Sequence, residues 1–248
     1  MYFPIRAITL DLDDTLWPFA PIGARVEQVL HDWLLQHCPR TAQRFPIEAM
    51  RALREAVYTE RPDLSHDFSQ LRRLSLVRAM ELSGDDPLLH AEAAFETFYA
   101  ERNRVEFYPD ALPALERLAA RVQLAAISNG NADLARIGVH HHFAFQLGAR
   151  EHGTPKPAAS IFHAACTQLA MSPADVLHVG DDIDMDVLGA HRAGLRSCWL
   201  NREGHAWPHD SIRPDLEFTT LGALADWLDA ADPANHLHSN VQPDTAAA

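Results

Sequence analysis

Two aspartates near the start of the chain, Asp11 and Asp13, follow directly on an apolar segment at residues 5–10. Carboxylates crowded at the end of a strand repel one another. Such a pair is therefore typical of a site that binds a metal ion, or that needs a nucleophile beside an acid or base. Asp and Thr after a strand also form turns and helix caps, which is the structural alternative. The Asp-x-Asp-x-Thr spacing directly after a hydrophobic segment favours the catalytic interpretation.

Three more polar clusters occur at comparable places along the chain. They are Ser128, Asn129 and Gly130 after an apolar segment, Lys156 at a helix entrance, and Gly180, Asp181, Asp182 and Asp186 after another apolar segment. Backbone N–H groups in a glycine turn that enters a helix bind anions, although an ordinary capped loop has the same composition. Acidic residues also favour helix N-termini, an alternative that applies to Asp182 more than to Asp181. Together the four clusters offer a nucleophile, a metal-binding acidic pair, a phosphate-binding hydroxyl and a lysine.

The charge balance limits the possible partners. The 248-residue chain has a formal net charge of −13, so a general nucleic-acid surface is not expected and an anionic substrate would be repelled at long range. Any phosphate group must then be held by a local cation. Lys156 is the sole lysine among 21 Lys and Arg residues. A lysine supplies a compact point charge where an arginine supplies a planar fork.

The composition favours a globular protein of the cytoplasm. Hydrophobic residues make up 47% of the chain, and no apolar run approaches the roughly 18 residues of a membrane span. The N-terminus lacks the layout of a signal peptide, and Cys38, Cys166 and Cys198 are too sparse for a disulfide framework. We therefore expect a cytoplasmic location, reduced thiols and no membrane partner. The sequence does not indicate an oligomeric state.

Apolar segments that alternate with helical segments predict an α/β fold with a Rossmann-like parallel sheet. The predicted strands are residues 5–10, 122–127, 143–147, 175–179, 196–200 and 216–218, and the predicted helices between them are 110–120, 131–136, 157–169 and 184–193. Pro157 is expected in the first turn of its helix. Ligands of such sheets gather at the carboxyl ends of the strands, where all four polar clusters are expected to lie.

A helical insert separates the first predicted strand from the second. Apolar residues at helical spacing predict helices at 22–37, 47–58, 67–83 and 87–103. We therefore expect a core domain (1–18 and 105–230), an all-α domain (19–104) and a polar, disordered tail (231–248).

The four clusters resemble the motifs of haloacid dehalogenase (HAD) superfamily phosphatases, over about residues 5–200. The matching residues are Asp11, Asp13 and Thr15, then Ser128, then Lys156, then Gly180, Asp181 and Asp186. The helical insert resembles the small C1-type cap of this superfamily. The resemblance implies an HAD core with an inserted all-α cap. It also implies a magnesium-dependent phosphatase that acts on a small-molecule phosphate ester.

The resemblance further implies a reaction through a covalent intermediate. Asp11 would attack phosphorus and become an aspartyl phosphate, while Asp13 would protonate the leaving group and then accept a proton from water. Mg²⁺ would bind the carboxylates of Asp11 and Asp181 and the backbone carbonyl of Asp13. Thr15 would cap and order the loop that carries the two aspartates.

The remaining motif residues would bind and orient. Ser128 and Lys156, with the backbone N–H groups of Asn129 and Gly130, would bind the phosphoryl oxygens, where charge must be stabilised in the transition state. Asp186, with Asp182 as the alternative, would orient a metal-bound water or Lys156.

Several stretches resemble, within this superfamily, bacterial phosphatases that act on flavin mononucleotide and on the phosphorylated pyrimidine of riboflavin synthesis, 5-amino-6-(5-phosphoribitylamino)uracil. These stretches are residues 3–17, 61–67, 128–131 and 178–182. In capped hydrolases the cap contributes specificity. The candidates for this role are Trp17 and Phe19 as stacking surfaces, together with His66, Arg72 and Arg73. A solvated helix face or hinge packing is the alternative for each.

Other activities of the superfamily, and two classes outside it, are alternatives. Dehalogenases of this superfamily lack the second aspartate, and phosphonate-cleaving members use a cap lysine that this chain does not have. A sugar-phosphate phosphatase or mutase needs the same carboxylates as Asp11 and Asp13. A signalling receiver domain also uses an acidic pocket, a Ser or Thr and a Lys, but it is much shorter and has no helical insert. A non-catalytic binding protein would not need the complete set of polar groups.

Overall fold

The fold is organised around a six-stranded parallel sheet. The computed structural model describes residues 4–230. The strands are β1 (Ala7–Leu10), β2 (Gln123–Ser128), β3 (Gln146–Gly148), β4 (Val176–Gly180), β5 (Arg196–Leu200) and β6 (Leu216–Phe218), in the spatial order β3-β2-β1-β4-β5-β6. Every neighbouring pair is parallel. The predicted fold class is confirmed, and each predicted strand is present.

The strands that hold the polar clusters are buried. β1 and β4 are inaccessible along their whole length, and so is β2 after its first residue. Strands covered on both faces read as continuous apolar runs, which is why the sequence indicates them. β3 is shorter than predicted because a 3₁₀ turn at His140–His142 precedes it and pairing with β2 begins only at Gln146.

Along the chain, the helices of the insert come before the remaining helices. The insert holds α1 (Phe19–His37), α2 (Pro39–Arg44), α3 (Ile47–Glu60), α4 (Phe68–Ser83) and α5 (Pro87–Arg102). The later helices are α6 (Ala111–Ala119), α7 (Leu134–Ile137), α8 (Ala149–His152), α9 (Ala159–Leu169), α10 (Gly189–Arg192) and α11 (Leu221–Ala230). The four long insert helices lie where the apolar spacing predicts them.

Three local expectations are wrong. Helix α2 was not predicted, because its sequence Pro-Arg-Thr-Ala-Gln-Arg carries no apolar stripe. Pro157 is not in the first turn of α9, since the helix begins at Ala159 and Pro157 lies in the preceding turn. The helix predicted at 184–193 is a π-helical segment, Ile183–Leu188, that continues into α10.

The sheet order creates a crevice at its centre. β1 pairs with β2 on one side and with β4 on the other, so the chain leaves these central strands toward opposite edges of the sheet. In open α/β sheets, ligands bind at the carboxyl ends of the strands at such a switch point. Asp11 follows β1 and Asp181 follows β4, so both lie at this crevice.

The insert and the sheet share one apolar core. One buried apolar cluster joins Ile8 of β1 to Leu30 of α1 and Phe95 of α5. The division into core and cap domains stays a prediction, and the predicted disordered tail lies outside the described residues. No helix within residues 4–230 is both long and apolar enough to cross a membrane.

Candidate active site

Lys156 is buried between two carboxylates at the carboxyl ends of the strands. Its Nζ lies 2.5 Å from Oδ1 of Asp11 and 2.6 Å from Oδ1 of Asp186, and the side chain is 3% exposed. Burial alone would lower the pKa of Lys156, but the attraction of Asp11 and Asp186 outweighs it and raises that pKa above the ordinary value. The lysine is therefore a fixed positive charge beside Asp11.

Asp186 is held from several directions. Its Oδ1 also accepts from Nε2 of His178 at 3.0 Å, and its Oδ2 accepts from the backbone N–H of Asp182 at 3.1 Å. His178 in turn contacts Oγ1 of Thr9 through Nδ1 at 2.9 Å. Gly180 allows this packing, because a Cβ there would lie 2.2 Å from the Asp186 carboxylate. These contacts leave Asp186 to orient Lys156.

Asp182 caps a helical segment. This role differs from orienting a metal-bound water or Lys156, for which Asp182 was the alternative to Asp186. Its carboxylate accepts from the backbone N–H groups of Asp184 and Met185, both at 2.8 Å, and so caps the π-helical segment. The structure brings the carboxylate of Asp186, and not that of Asp182, into contact with Lys156.

Three carboxylates form a group that fits a hard divalent cation. Oxygens of Asp11, Asp181 and Asp186 all lie within 4.8 Å of one another. Burial, with the nearby Asp186 charge, raises the pKa of Asp181 to about 7. Burial likewise raises the pKa of Asp11, opposed by Lys156 and reinforced by Asp186 and Asp181. Such crowding is what a cation with oxygen ligands relieves, and the all-oxygen donor set suits Mg²⁺.

The metal-ligand prediction can be compared with these contacts. Both oxygens of Asp186 already accept hydrogen bonds from protein groups, so Asp11 and Asp181 are the carboxylates better placed to bind an ion. Oγ1 of Thr15 donates to Oδ1 of Asp181 at 3.0 Å and fixes its orientation. The side chain of Asp13 is used elsewhere, which leaves only its backbone carbonyl for a metal.

The Asp13 carboxylate is fixed by two donors at the border between the insert and the sheet. Nε1 of Trp17 donates to Oδ1 at 2.8 Å, and Nη2 of Arg102, the last residue of α5, donates to Oδ2 at 2.6 Å. A Cβ at Gly130 would lie 2.7 Å from Oδ2, so this position accepts only glycine without displacing Asp13. The arrangement places an oriented carboxylate beside the nucleophile candidate Asp11.

The predicted phosphate-binding turn lies at the end of β2. Ser128 accepts from the N–H of Gly130 at 3.0 Å through its Oγ. The side chain of Asn129 forms two hydrogen bonds with the backbone of Lys156: it donates to the carbonyl at 2.9 Å and accepts from the N–H at 2.7 Å. Ser128, Gly130 and Lys156 line a cavity of about 170 Å³ together with Asp11, Asp13 and Asp181.

The comparison with known families decides the classification. Residues 5–194 match the family model of haloacid dehalogenase-like hydrolases. The chain belongs to this hydrolase family. The resemblance inferred from the four motif clusters is therefore confirmed.

The relatives of the hydrolase include phosphatases and a dehalogenase. The 5-amino-6-(5-phospho-D-ribitylamino)uracil phosphatase of Escherichia coli is 34% identical, over 89% of this chain and 94% of its own. The glyceraldehyde 3-phosphate phosphatase of Methanopyrus kandleri is 29% identical, over 90% of this chain and 96% of its own. A crystal structure from Pseudomonas syringae pv. Tomato, described as a 2-haloacid dehalogenase, is 37% identical, covers 92% of this chain and 100% of that one, and superposes with a TM-score of 0.86.

A second cavity of the hydrolase, of about 480 Å³, opens from Asp13 into the insert. We call it the insert cavity. Its aromatic lining is Phe19, Tyr58, Phe68 and Phe98, and its charged lining is Asp13, Asp14, Glu27, Arg51, Arg54, Arg72 and Arg102. Of the five predicted specificity residues, Phe19 and Arg72 lie here. His66 lies in a neighbouring cavity of about 280 Å³ that also borders Asn129 and Gly130.

Two of the predicted specificity residues do not face either cavity. Trp17 is fully buried and bonded to Asp13, so its ring offers no surface for stacking. Arg73 binds Glu92 through two hydrogen bonds of 3.0 Å and lies over the ring of Phe95. These contacts do not support a stacking role for Trp17 or a specificity role for Arg73, because the sequence does not show which face of a helix or loop is turned toward the site.

Some site residues escaped the sequence analysis. Arg102 contacts Asp13, His178 contacts Asp186, and Glu27 lies in the insert cavity. A histidine inside the apolar strand β4, and a glutamate on the buried stripe of α1, are visible exceptions to the apolar pattern. Either exception could have been noticed. Nothing in the sequence links Arg102 to Asp13, which is 89 residues away.

Proposed function

We propose that this hydrolase is a phosphatase that cleaves small-molecule phosphate monoesters through an aspartyl phosphate on Asp11, with Mg²⁺ as its cofactor. The observation that carries the proposal is the pairing of two oriented carboxylates with a buried ammonium group. Asp11 lies 2.5 Å from Lys156, and Asp13 is fixed by Trp17 and Arg102 beside the same cavity. The relatives named as phosphatases support the same reaction class.

Asp13 separates this proposal from dehalogenation. Although one solved relative is described as a 2-haloacid dehalogenase, a halide leaving group needs no proton, whereas an alkoxide does. The superfamily's dehalogenases lack the second aspartate, and this chain has it. A second carboxyl group that lines the same cavity as Asp11 supports a leaving group that must be protonated.

The proposed reaction assigns each step to a residue. Oδ1 of Asp11 contacts Lys156, so Oδ2 is the oxygen that attacks phosphorus as the ester P–O bond breaks. Asp13 enters this step in its carboxylic acid form and gives its proton to the leaving oxygen. Asp13 then removes a proton from the water that attacks the aspartyl phosphate, releasing inorganic phosphate and restoring Asp11. Lys156, Ser128 and the turn N–H groups stabilise the phosphoryl oxygens.

Bound Mg²⁺ supplies charge neutralisation between the carboxylates and the phosphoryl oxygens. The ligands we propose are the carboxylates of Asp11 and Asp181 and the backbone carbonyl of Asp13. Thr15 keeps Asp181 oriented through its 3.0 Å hydrogen bond, and Asp186 keeps Lys156 in place.

The proposed substrates are 5-amino-6-(5-phosphoribitylamino)uracil or flavin mononucleotide. The E. coli relative named for the first of these covers nearly the whole chain. The insert cavity, at about 480 Å³, falls within the size range of sites for drug-sized ligands. A leaving group with three carbons would leave most of that space to water, so the cavity supports a larger leaving group.

We also propose that the protein works in the cytoplasm. Cys38, Cys166 and Cys198 are all buried and unpaired, which supports a reducing compartment.

The experiment is turnover of p-nitrophenyl phosphate with Mg²⁺, comparing the wild type with Asp11→Asn. We expect the variant to lose activity by at least about 10³-fold, as nucleophile substitutions do. Asp63→Asn is the matched control, because Asp63 is an exposed aspartate of the insert that binds Arg61. Near-wild-type activity in Asp11→Asn would contradict the nucleophile assignment. Halide release from a 2-haloacid would favour dehalogenation, and an isomerised sugar phosphate in place of inorganic phosphate would favour a mutase.

A further inference from the structure

A cluster of Arg54, Glu27 and Arg72 forms part of the wall of the insert cavity, which also contains Asp13. We call it the Arg–Glu–Arg cluster. Nη1 of Arg54 and Nη2 of Arg72 both donate to Oε1 of Glu27, the latter at 3.3 Å. The three residues come from α3, α1 and α4, so the cluster is assembled only by the folded insert.

The cluster has hydrogen-bonding capacity that the described residues do not use. Both hydrogen bonds that Glu27 accepts from the two arginines use Oε1, and within residues 4–230 Nε of Arg72 is buried without a hydrogen-bond partner. Despite burial, Arg72 and Arg54 lower the pKa of Glu27, so the group is a carboxylate and a strong acceptor. Buried polar groups are normally paired, so a ligand that completes this set gains more than one at a solvated surface.

The walls around the cluster are flat and aromatic. The rings of Tyr58 and Phe68 lie 5.9 Å apart at 12° to each other, and the guanidinium of Arg72 lies 4.3 Å from the centre of the Phe98 ring. Phe19 lines the same cavity and lies beneath Arg102, next to Asp13. Aromatic walls favour stacking with a planar ring over contact with a flexible aliphatic chain.

The hydrogen-bond pattern of the cluster selects one kind of ring edge. The cluster combines two guanidinium donors with one carboxylate acceptor, so a complementary edge combines an N–H donor with carbonyl acceptors. A cyclic imide, –CO–NH–CO–, has this edge. A second phosphate or carboxylate offers no N–H donor to Glu27, and a sugar lacks the planar face that the aromatic walls suit.

We propose that the Arg–Glu–Arg cluster binds the imide edge of a planar heterocycle carried by the leaving group of the substrate. Glu27 accepts the imide N–H, and Arg54 and Arg72 donate to the flanking carbonyl oxygens. The proposal rests on the proposed phosphatase function, because it places the phosphoryl group at Asp11 and the ring in the insert cavity. The simpler alternative is that the cluster only joins α1, α3 and α4.

The test compares phosphate esters that differ only at the imide nitrogen. The probe pairs are flavin mononucleotide with N3-methyl flavin mononucleotide, and uridine monophosphate with its N3-methyl derivative. We expect the wild type to prefer the unmethylated member of at least one pair by at least about tenfold in kcat/KM, because the methyl group removes a hydrogen bond to a charged acceptor. The preference should lie mainly in KM, since the cluster is remote from the reacting phosphorus.

The decisive variant is Glu27→Gln, with each rate normalised to p-nitrophenyl phosphate for the same variant. The preference for the unmethylated ester should fall several-fold, because the amide oxygen of glutamine is a neutral and therefore weaker acceptor than the carboxylate. Glu92→Gln is the matched control, since Glu92 pairs with Arg73 on the insert away from the cavity and should keep the full preference. A merely structural cluster would lower thermal stability in Glu27→Gln without changing the preference.

The outcomes distinguish failure of the proposed phosphatase function from failure of the imide proposal. If the wild type does not hydrolyse p-nitrophenyl phosphate with Mg²⁺, the proposed function fails. If it does so but shows no preference within either pair, or turns over no member of them, the imide proposal is overturned while the phosphatase function stands. Retention of the full preference in Glu27→Gln also overturns it.

Discussion

Replacing Lys156 by Met removes the only ammonium group among the site carboxylates and should destabilise the protein strongly. Nζ of Lys156 lies 2.5 Å from Asp11 and 2.6 Å from Asp186, and the side chain is 3% exposed. Methionine has a similar length but no charge, so the variant leaves three carboxylates within 4.8 Å of one another, one of them the buried Asp186, without the ammonium group of Lys156. Breaking a buried ion pair in this way costs about 3–5 kcal/mol.

The assay is thermal and urea unfolding followed by circular dichroism, at neutral pH with EDTA. A loss of about 3–5 kcal/mol corresponds to a fall in Tm of roughly 6–20 °C for a chain of this size. Added Mg²⁺ should restore part of the loss, because a cation bound by the native state at 100 times its Kd stabilises it by about 2.7 kcal/mol. The double variant Lys156→Met/Asp186→Asn should recover stability in EDTA, since it removes one of the uncompensated charges.

Arg6→Met provides the matched control. Arg6 pairs with Asp175 at 3.9 Å on the surface, with 64% of its side chain exposed, and such pairs contribute about 0–1 kcal/mol. The reasoning would be refuted if Lys156→Met unfolded within about 1 kcal/mol of the wild type in EDTA, or if Asp186→Asn made it less stable still.

Three further predictions follow from individual contacts. Arg202→Met should lower p-nitrophenyl phosphate turnover by about tenfold and raise the Mg²⁺ concentration for half-maximal rate. The reason is that Arg202 donates to the carbonyl of Thr15 at 2.9 Å, and Thr15 orients Asp181, a candidate metal ligand. An unchanged Mg²⁺ dependence would contradict this. Trp17→Phe should lower kcat by roughly tenfold with an unchanged circular dichroism spectrum, because it removes the donor to Asp13 at 2.8 Å; an unchanged kcat would show that Arg102 alone orients the carboxylate. The stability advantage of the wild type over Glu27→Gln should be full above the ordinary Glu pKa of 4.5 and disappear as the pH falls through the lowered folded-state pKa of Glu27. Urea unfolding of both proteins across that pH range measures the difference. A difference in stability that grows at acidic pH would contradict the prediction.

The parts of the fold that the sequence predicts are those set by contiguous burial. β1 and β4 are covered on both faces, so each is an unbroken apolar run that can be read directly. α2 has no such signature: it begins with Pro39 after the end of α1, and its amino-terminal turn is held by Asp85, which accepts from both the N–H and Oγ1 of Thr41. That contact spans 44 residues and exists only after α4 has packed.

The site residues also fall into those that the sequence could predict and those that it could not. Asp11, Ser128 and Asp181 could be predicted to meet because each follows a parallel strand, and the carboxyl ends of such strands share one edge. Glu27 could not be placed, because its role depends on how α1, α3 and α4 cross above that edge. The same limit explains Trp17 and Arg73, whose residue types suit a ligand but whose side chains are committed to Asp13 and Glu92.

Electrostatics gives the two cavities different tasks. The cavity at Asp11 is lined by five aspartates and one lysine, and the insert cavity by three acidic residues and four arginines. The smaller cavity is therefore the more negative of the two, and it would repel a phosphate dianion unless a divalent cation offsets its carboxylates. Lys156 pairs with both Asp11 and Asp186, so one ammonium group does not by itself offset the five carboxylates of this cavity. We therefore expect the proposed metal to aid binding of the phosphoryl group as well as the breaking of the ester bond.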